Sequence, residues 1–276
     1  TPVVIGTGDV GAEALSAGVF APGETILVYG STISYLQCLE KPVAHTDLFS
    51  GCYIFPHTYF IGGATATAGA LTKWFRDNFS PLEKTVEKEL GISAYSLLND
   101  EAAGIEEPTG IIVLPYFSGA RSPINDENAR GMLAGLTLTH QRIHLYKALL
   151  EGIAYEIRHN FEVMAEAGVD PKKVIAVGGG TKSSVWTQVV SDVLGKEQYC
   201  VTQSGGAPLG AAYLAGLGLG IIPEPAYIRE NYVKTDRVVI PSMAAGKRYE
   251  EYYQVYRLLY KETKDLMGKL AGITNE

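Results

Sequence analysis

Residues 174–181 read Val174-Ile175-Ala176-Val177-Gly178-Gly179-Gly180-Thr181, and this stretch decides the fold class. A short apolar run of this kind, bounded by turn residues, has the length of a buried strand. The glycines that end it let the backbone turn sharply and let amide N–H groups come close to a ligand. Residues 183–195 then take up a helical period. A strand, a glycine loop and a helix in that order form a natural anion site, because free amides and the helix dipole both point at it. The same order recurs twice upstream. Val3-Val4-Ile5 leads into Gly6-Thr7-Gly8-Asp9, and Thr25-Ile26-Leu27-Val28 leads into Tyr29-Gly30-Ser31-Thr32. Three such loops, the first closed by a carboxylate, fit a site that holds a polyphosphate beside an acid–base group.

Working outward, residues 10–18 read as a short helix and 33–35 as a strand returning from a hairpin at Gly30-Ser31. Residues 50–55 and 59–61 read as further strands, and 66–78 as a helix with Ala70, Leu71, Trp74 and Phe75 on one side. Two short helices are expected over 82–103, parted near Gly91, followed by a buried strand at 111–114. A loop at 115–128 and an extended segment at 130–138 lead to the longest expected helix, 140–168. Downstream come a strand at 199–201, a small-residue helix at 209–218, a proline-bearing surface connection over 219–241 and a tyrosine-rich helix over 243–270. That last helix reads as core packing rather than contact surface. Alternating strands and helices define an α/β chain.

The chain has 276 residues, 46% hydrophobic and 19% charged, which suits one large domain or two small ones. Its net charge of −7 and lack of a basic run argue against nucleic acid or an anionic membrane as the main partner. No apolar run is long enough to span a bilayer, and no signal peptide is visible. The chain starts at Thr1 and runs directly into residues 3–5, so we expect a piece of a longer polypeptide. Cys38, Cys52 and Cys200 are scattered and read as reduced core residues of a cytoplasmic protein. His140 and His144 stand at helical spacing but have no third ligand, so no metal site is assigned.

Each loop also has a plain structural reading. Asp9 can cap the helix that it precedes, Gly30-Ser31 can be an ordinary hairpin turn, and residues 178–180 a tight strand-to-helix turn. A dinucleotide fingerprint is disfavoured. The GxGxxG spacing fails after Gly180, and Cys200 to Gln203 stand where its acidic ribose-binding residue belongs.

Longer stretches identify the set. GTGD at 6–9, YGST at 29–32, LPYFSGARSP at 114–123, GMLAGLTLTHQRIHLYKALLEG at 131–152 and VGGGTKSSVWTQVVSDVLG at 177–195 together resemble the FGGY family of carbohydrate kinases, with xylulokinase-like members nearest. The resemblance implies a ribonuclease-H-like domain of the actin, hexokinase and Hsp70 superfamily, with a mixed sheet flanked by helices. It implies that residues 1–276 are the C-terminal, nucleotide-binding domain, that the N-terminal sugar-binding domain is absent, and that ATP with Mg²⁺ phosphorylates a sugar or polyol hydroxyl.

Carried over residue by residue, Asp9 matches the catalytic base. Gly30, Ser31 and Thr32 match the phosphate hairpin, and Gly69 and Lys73 match positions near the phosphates and ribose. Gly179, Gly180 and Thr181 match the adenosine motif, with Ser184 near the adenine. Ala120 stands where xylulokinase-like members usually carry glutamate, and Arg121 is expected to pair across its loop. The other class of reading is a non-catalytic nucleotide-binding switch of the actin or Hsp70 type. A second copy of the chain is a further candidate partner.

Overall fold

The computed structural model describes residues 2–201 and 205–274. At its centre is β1, Glu24–Tyr29, a β-branched and aromatic run in which every residue is buried. The chain turns at residues 30–32 and returns as β2, Ile33–Leu39, antiparallel to β1. Next come β3, Phe49–Cys52, and β4, Tyr59–Ala64, with β4 pairing antiparallel to both β2 and β3. On the other flank of β1, β7 (Lys173–Val177) runs parallel to it and β8 (Gln198–Val201) parallel to β7. An antiparallel edge strand, β9 (Thr235–Val239), completes the order β3-β4-β2-β1-β7-β8-β9. Antiparallel strands on one side of β1 and two parallel strands on the other make the mixed sheet of the ribonuclease-H-like core that the resemblance implies.

A parallel β1–β7 pair requires a long crossover. Helices α2 (Gly69–Phe79), α3 (Pro81–Leu90), α4 (Ala94–Ala103) and α5 (Arg142–Glu166) supply it, with a small hairpin of β5 (Ile112–Leu114) and β6 (Met132–Ala134). Gly91, left-handed at φ 71°, ends α3 where the sequence places the break. Helix α5 runs through the core of one sheet face. There its Tyr155 ring meets Tyr249, Tyr253 and Tyr256 of the terminal helix α9, Met243–Thr274. These three tyrosines are buried, so their face of α9 is core packing, as expected, whereas Leu266, in the same expected register, is exposed. The opposite face carries α1 (Asp9–Ser16) and α7 (Gly206–Gly218), where Leu15 and Tyr213 share a cluster with Ile228 of α8, Pro225–Tyr232. Helix α6, Ser184–Leu194, follows the glycine loop after β7.

Five expectations of the fold fail. Residues 3–5 form no buried strand: Val3 and Ile5 are 96% and 92% exposed, because β2 and β7 already flank β1 and leave no central position. Residues 219–241 are not merely a connection. They hold α8, whose Ile228 is fully buried, and β9, which prolines on either side disguise in the sequence. In α2, Leu71 and Phe75 face the core, but Ala70 is exposed and Trp74 is 39% exposed. One residue of offset is about 100° of helix rotation, enough to turn that second pair away from the core. The longest helix is α9, with 32 residues against 25 for α5. Of the extended segment at 130–138, only Met132–Ala134 pairs.

Candidate active site

The hairpin after β1 is built around Gly30, whose N–H donates to the carbonyls of Val28 and Thr32 at 3.1 Å each. Its carbonyls point into the start of α2. Ser31 O accepts from the amides of Ala68 and Ala70 at 2.9 Å each, and Gly30 O from Gly69 N at 3.0 Å. A Cβ on Gly69 would lie 2.4 Å from Gly30 O, so only glycine permits this docking. The amides that open α2 are therefore spent on protein. Among the described residues, the amides and hydroxyls of Ser31 and Thr32 have no such partner, and they are the donors left for an anion.

Lys73 lies one turn further along α2. Its ammonium is 2.6 Å from Asp77, which also pairs with Arg76 and Lys84. Hydrogen bonds from Lys73 and Arg76 hold the Asp77 carboxyl well below the usual carboxylate range. Lys73 is thus engaged on an exposed helix face.

The second loop leaves β7, whose Val177 is opposite Val28 of β1 in parallel register. Both loops therefore emerge side by side at the carboxyl ends of adjacent strands, where open α/β sheets bind ligands. Gly178 is left-handed at φ 97°, and a Cβ there would come within 2.6 Å of Tyr29 O. Gly179–Lys182 form a 3₁₀ turn, and Gly180 packs against the Trp186 ring, itself edge-on to Tyr29 at 5.1 Å. Thr181 Oγ1 donates to Gly178 O at 2.8 Å. Ser183 caps α6 by accepting from Trp186 N and donates to Asn99 Oδ1 at 3.0 Å, and Ser184 lies exposed at the helix start. Reading the sequence misses two supports of this loop, Asn99 and Arg237. Both come from segments that carry no glycine or catalytic signature.

Asp9 is the first residue of α1, whose N-cap, Gly8, offers no side chain. Among the described residues its Oδ1 accepts only from the neighbouring Val10 N, at 2.8 Å, and the carboxylate is exposed, so capping does not consume it. Asp9 lines a cavity of about 350 Å³ together with Ser34, Phe49, Cys52 and Gly62. The floor follows from strand register. Leu36, Gly62 and Phe49 stand in a row across β2, β4 and β3, and Gly62 leaves the middle of that row without a side chain. Ser34 on the same floor is two residues from Thr32, so β2 carries the cavity to the hairpin tip.

A larger space of about 760 Å³, between residues 105–109 and α9, contains none of the candidate residues, so size alone does not mark the site. The His140 and His144 rings meet edge-on at 5.7 Å, but each Nδ1 accepts a backbone N–H, from Thr137 and Gln141. Among the described residues, no group of three or more His, Cys, Asp or Glu could hold a metal ion. Arg121 makes no ion pair among them either. Its loop is held instead by the Ala120–Asp126 backbone pair and by Ser122 Oγ against Ala64, so the expected pairing is not found. No helix among them is long and apolar enough to cross a membrane.

Residues 26–219 match the FGGY family of carbohydrate kinases, C-terminal domain. The chain is 30% identical to a xylulose kinase of Staphylococcus epidermidis, over 99% of its own length and 54% of that protein. It is also 30% identical to an autoinducer-2 kinase of Salmonella typhimurium, over 99% and 52%. Among solved structures, the xylulose kinase from Rhodospirillum rubrum superposes with a TM-score of 0.83 at 29% identity, covering 95% of this chain and 51% of that one. The Plasmodium falciparum glycerol kinase with ADP gives 0.77 at 26% identity, over 92% and 50%. The chain spans about half the length of the curated relatives it matches.

Proposed function

The chain belongs to the FGGY family of carbohydrate kinases, and we propose that it supplies the ATP-binding half and the catalytic base of a xylulose-kinase-like enzyme. The sugar-binding half would be a further domain, in keeping with relatives about twice as long. The observation that carries this reading is one of placement. Two glycine loops leave adjacent parallel strands at the same end, and the strand that continues from one of them floors the cavity of an unconsumed carboxylate.

In this reading the phosphates of ATP lie against the free donors of Ser31 and Thr32, and the adenosine against Gly179, Gly180, Thr181 and Ser184. Gly69 keeps the hairpin open by admitting α2 closely, while Lys73, paired to Asp77, is a reserve cation at the rim. Mg²⁺, arriving with the nucleotide, would neutralise charge on the β- and γ-phosphates. Asp9 takes the proton of an acceptor hydroxyl seated in the cavity, and that oxygen forms a bond to the γ-phosphorus. The bond from phosphorus to the β-phosphate oxygen breaks, and ADP leaves. The acceptor is a sugar or polyol, the enzyme cytoplasmic, and a second copy of the chain a candidate partner. The chain by itself binds nucleotide weakly and transfers nothing.

The test is ADP release by the parent polypeptide across a panel of ketoses, aldoses and polyols. Asp9→Asn should lower sugar-stimulated turnover about 10²–10⁴-fold while ATP affinity holds, since the base acts in the transition state. Nucleotide binding with no sugar-stimulated turnover, unaltered by Asp9→Asn, would support the actin- or Hsp70-like switch instead.

A further inference from the structure

The 3₁₀ turn Gly179–Lys182 is held in a particular way. Within itself it is closed by Thr181 N–H and Thr181 Oγ1 donating to Gly178 O, and by Ser183 N donating to Gly180 O. From outside, among the described residues, one hydrogen-bond donor reaches it. Arg237, on β9, donates from its guanidinium to Thr181 O at 2.5 Å and to Thr187 Oγ1 at 2.9 Å. Thr187 Oγ1 in turn donates to the carbonyls of Ser183 and Ser184 at the start of α6. One guanidinium therefore ties the crest of the turn to the first turns of the helix behind it.

We propose that Arg237 is the positioning residue of the nucleotide loop, fixing the turn Gly179–Lys182 in the shape that receives adenosine. Three features support this. Gly178 gives the turn backbone freedom, so its shape is set by what holds it, and one guanidinium nitrogen bonded to Thr181 O and Thr187 Oγ1 holds it in two directions at once. Arg237 is half-buried beside Cys200, its partner in strand register, so its geometry is set by the sheet rather than by solvent. No carboxylate lies within ion-pair distance of it among the described residues, so its charge also remains available to favour an anion at the loop. Strand β9 thereby acquires a role beyond closing the sheet edge.

This inference rests on the nucleotide reading above, and the experiment separates the two. Titration calorimetry with Mg·ADP is run on the parent polypeptide as wild type, Arg237→Met, Arg237→Lys and Val239→Ala. Val239 lies two residues along the same strand, is buried in the core, and shares no hydrogen bond with the turn among the described residues, so its truncation lowers stability while leaving the tie to Thr181 in place. Losing a charge-assisted hydrogen bond to a carbonyl predicts about tenfold weaker ADP binding in Arg237→Met, with partial recovery in Arg237→Lys. Val239→Ala should bind as wild type despite a lower melting temperature. The inference is overturned alone if wild type binds ADP and Arg237→Met binds it equally. It is overturned as well if Val239→Ala loses affinity in step with its melting temperature, since Arg237 would then be merely structural. A wild-type parent polypeptide that takes up no ADP would overturn the nucleotide reading and this inference with it.

Discussion

Gly178 and Cys52 show what single residues contribute here. Gly178 combines a left-handed φ with a carbonyl 2.6 Å from where its Cβ would stand, so two penalties act at once. Gly178→Ala should cost about 2–4 kcal/mol, read from urea unfolding, and nucleotide affinity should fall with it. A variant as stable as wild type would mean that the turn can relax. Cys38 and Cys200 are buried as expected, but Cys52, on the exposed edge strand β3, is not a core residue, and it lines the cavity of Asp9. A maleimide should react there first, and the labelled parent enzyme should lose acceptor-dependent turnover. Full activity after stoichiometric labelling would place the acceptor elsewhere. Asp9, Gly30 and Gly179 were legible as residue types in glycine loops, because glycine and a loop-ending carboxylate are local signals. Arg237 was not, because its partner Thr181 lies 56 residues away in sequence.

Helix α5 carries the clearest consequence at the scale of an element. Its Glu151 is fully enclosed, and burial pushes its carboxyl up to about 7 against hydrogen bonds from the Thr109 hydroxyl and amide. Lys147, Glu107 and Tyr249 surround it from α5, the 105–109 loop and α9. The folded chain therefore holds a proton that the unfolded chain, with an ordinary carboxyl near 4.5, releases. The stability that Glu151 contributes should fall as pH rises from about 4.5 to about 7, since this group holds more of its proton in the folded state across that window. His159, whose burial lowers its pKa to about 3, contributes in the opposite sense. Glu151→Gln should remove the falling contribution, so denaturation midpoints of the two proteins should diverge between pH 5 and pH 7. Parallel curves would mean that the group titrates as if exposed. The helix period announced α5 and α9 plainly, through apolar residues recurring every three or four positions. It did not announce β9, where a two-residue valine run between prolines gives too few alternations to register as a strand.

The molecule as a whole is organised about β1, buried along its length and flanked on both sides, while β3 at one edge is exposed throughout. Amide exchange should therefore be slowest over Glu24–Tyr29 and Lys173–Val177 and fastest among the strands over Phe49–Cys52. Equal protection of β3 and β1 would show that the sheet opens only as a unit. The sequence by itself determined the apolar strands that build this centre, the α/β class, the order of loops and the residue types they carry. These depend on neighbours within a few positions, whose periodicity and turn chemistry are written in the chain. The tertiary structure alone decided which donors remain free. It spent the opening amides of α2 on the hairpin, paired Lys73 with Asp77, left Val3 and Ile5 in solvent and set Arg237 against Thr181. Burial and hydrogen-bond partnership arise from segments distant in sequence, so no local pattern encodes them.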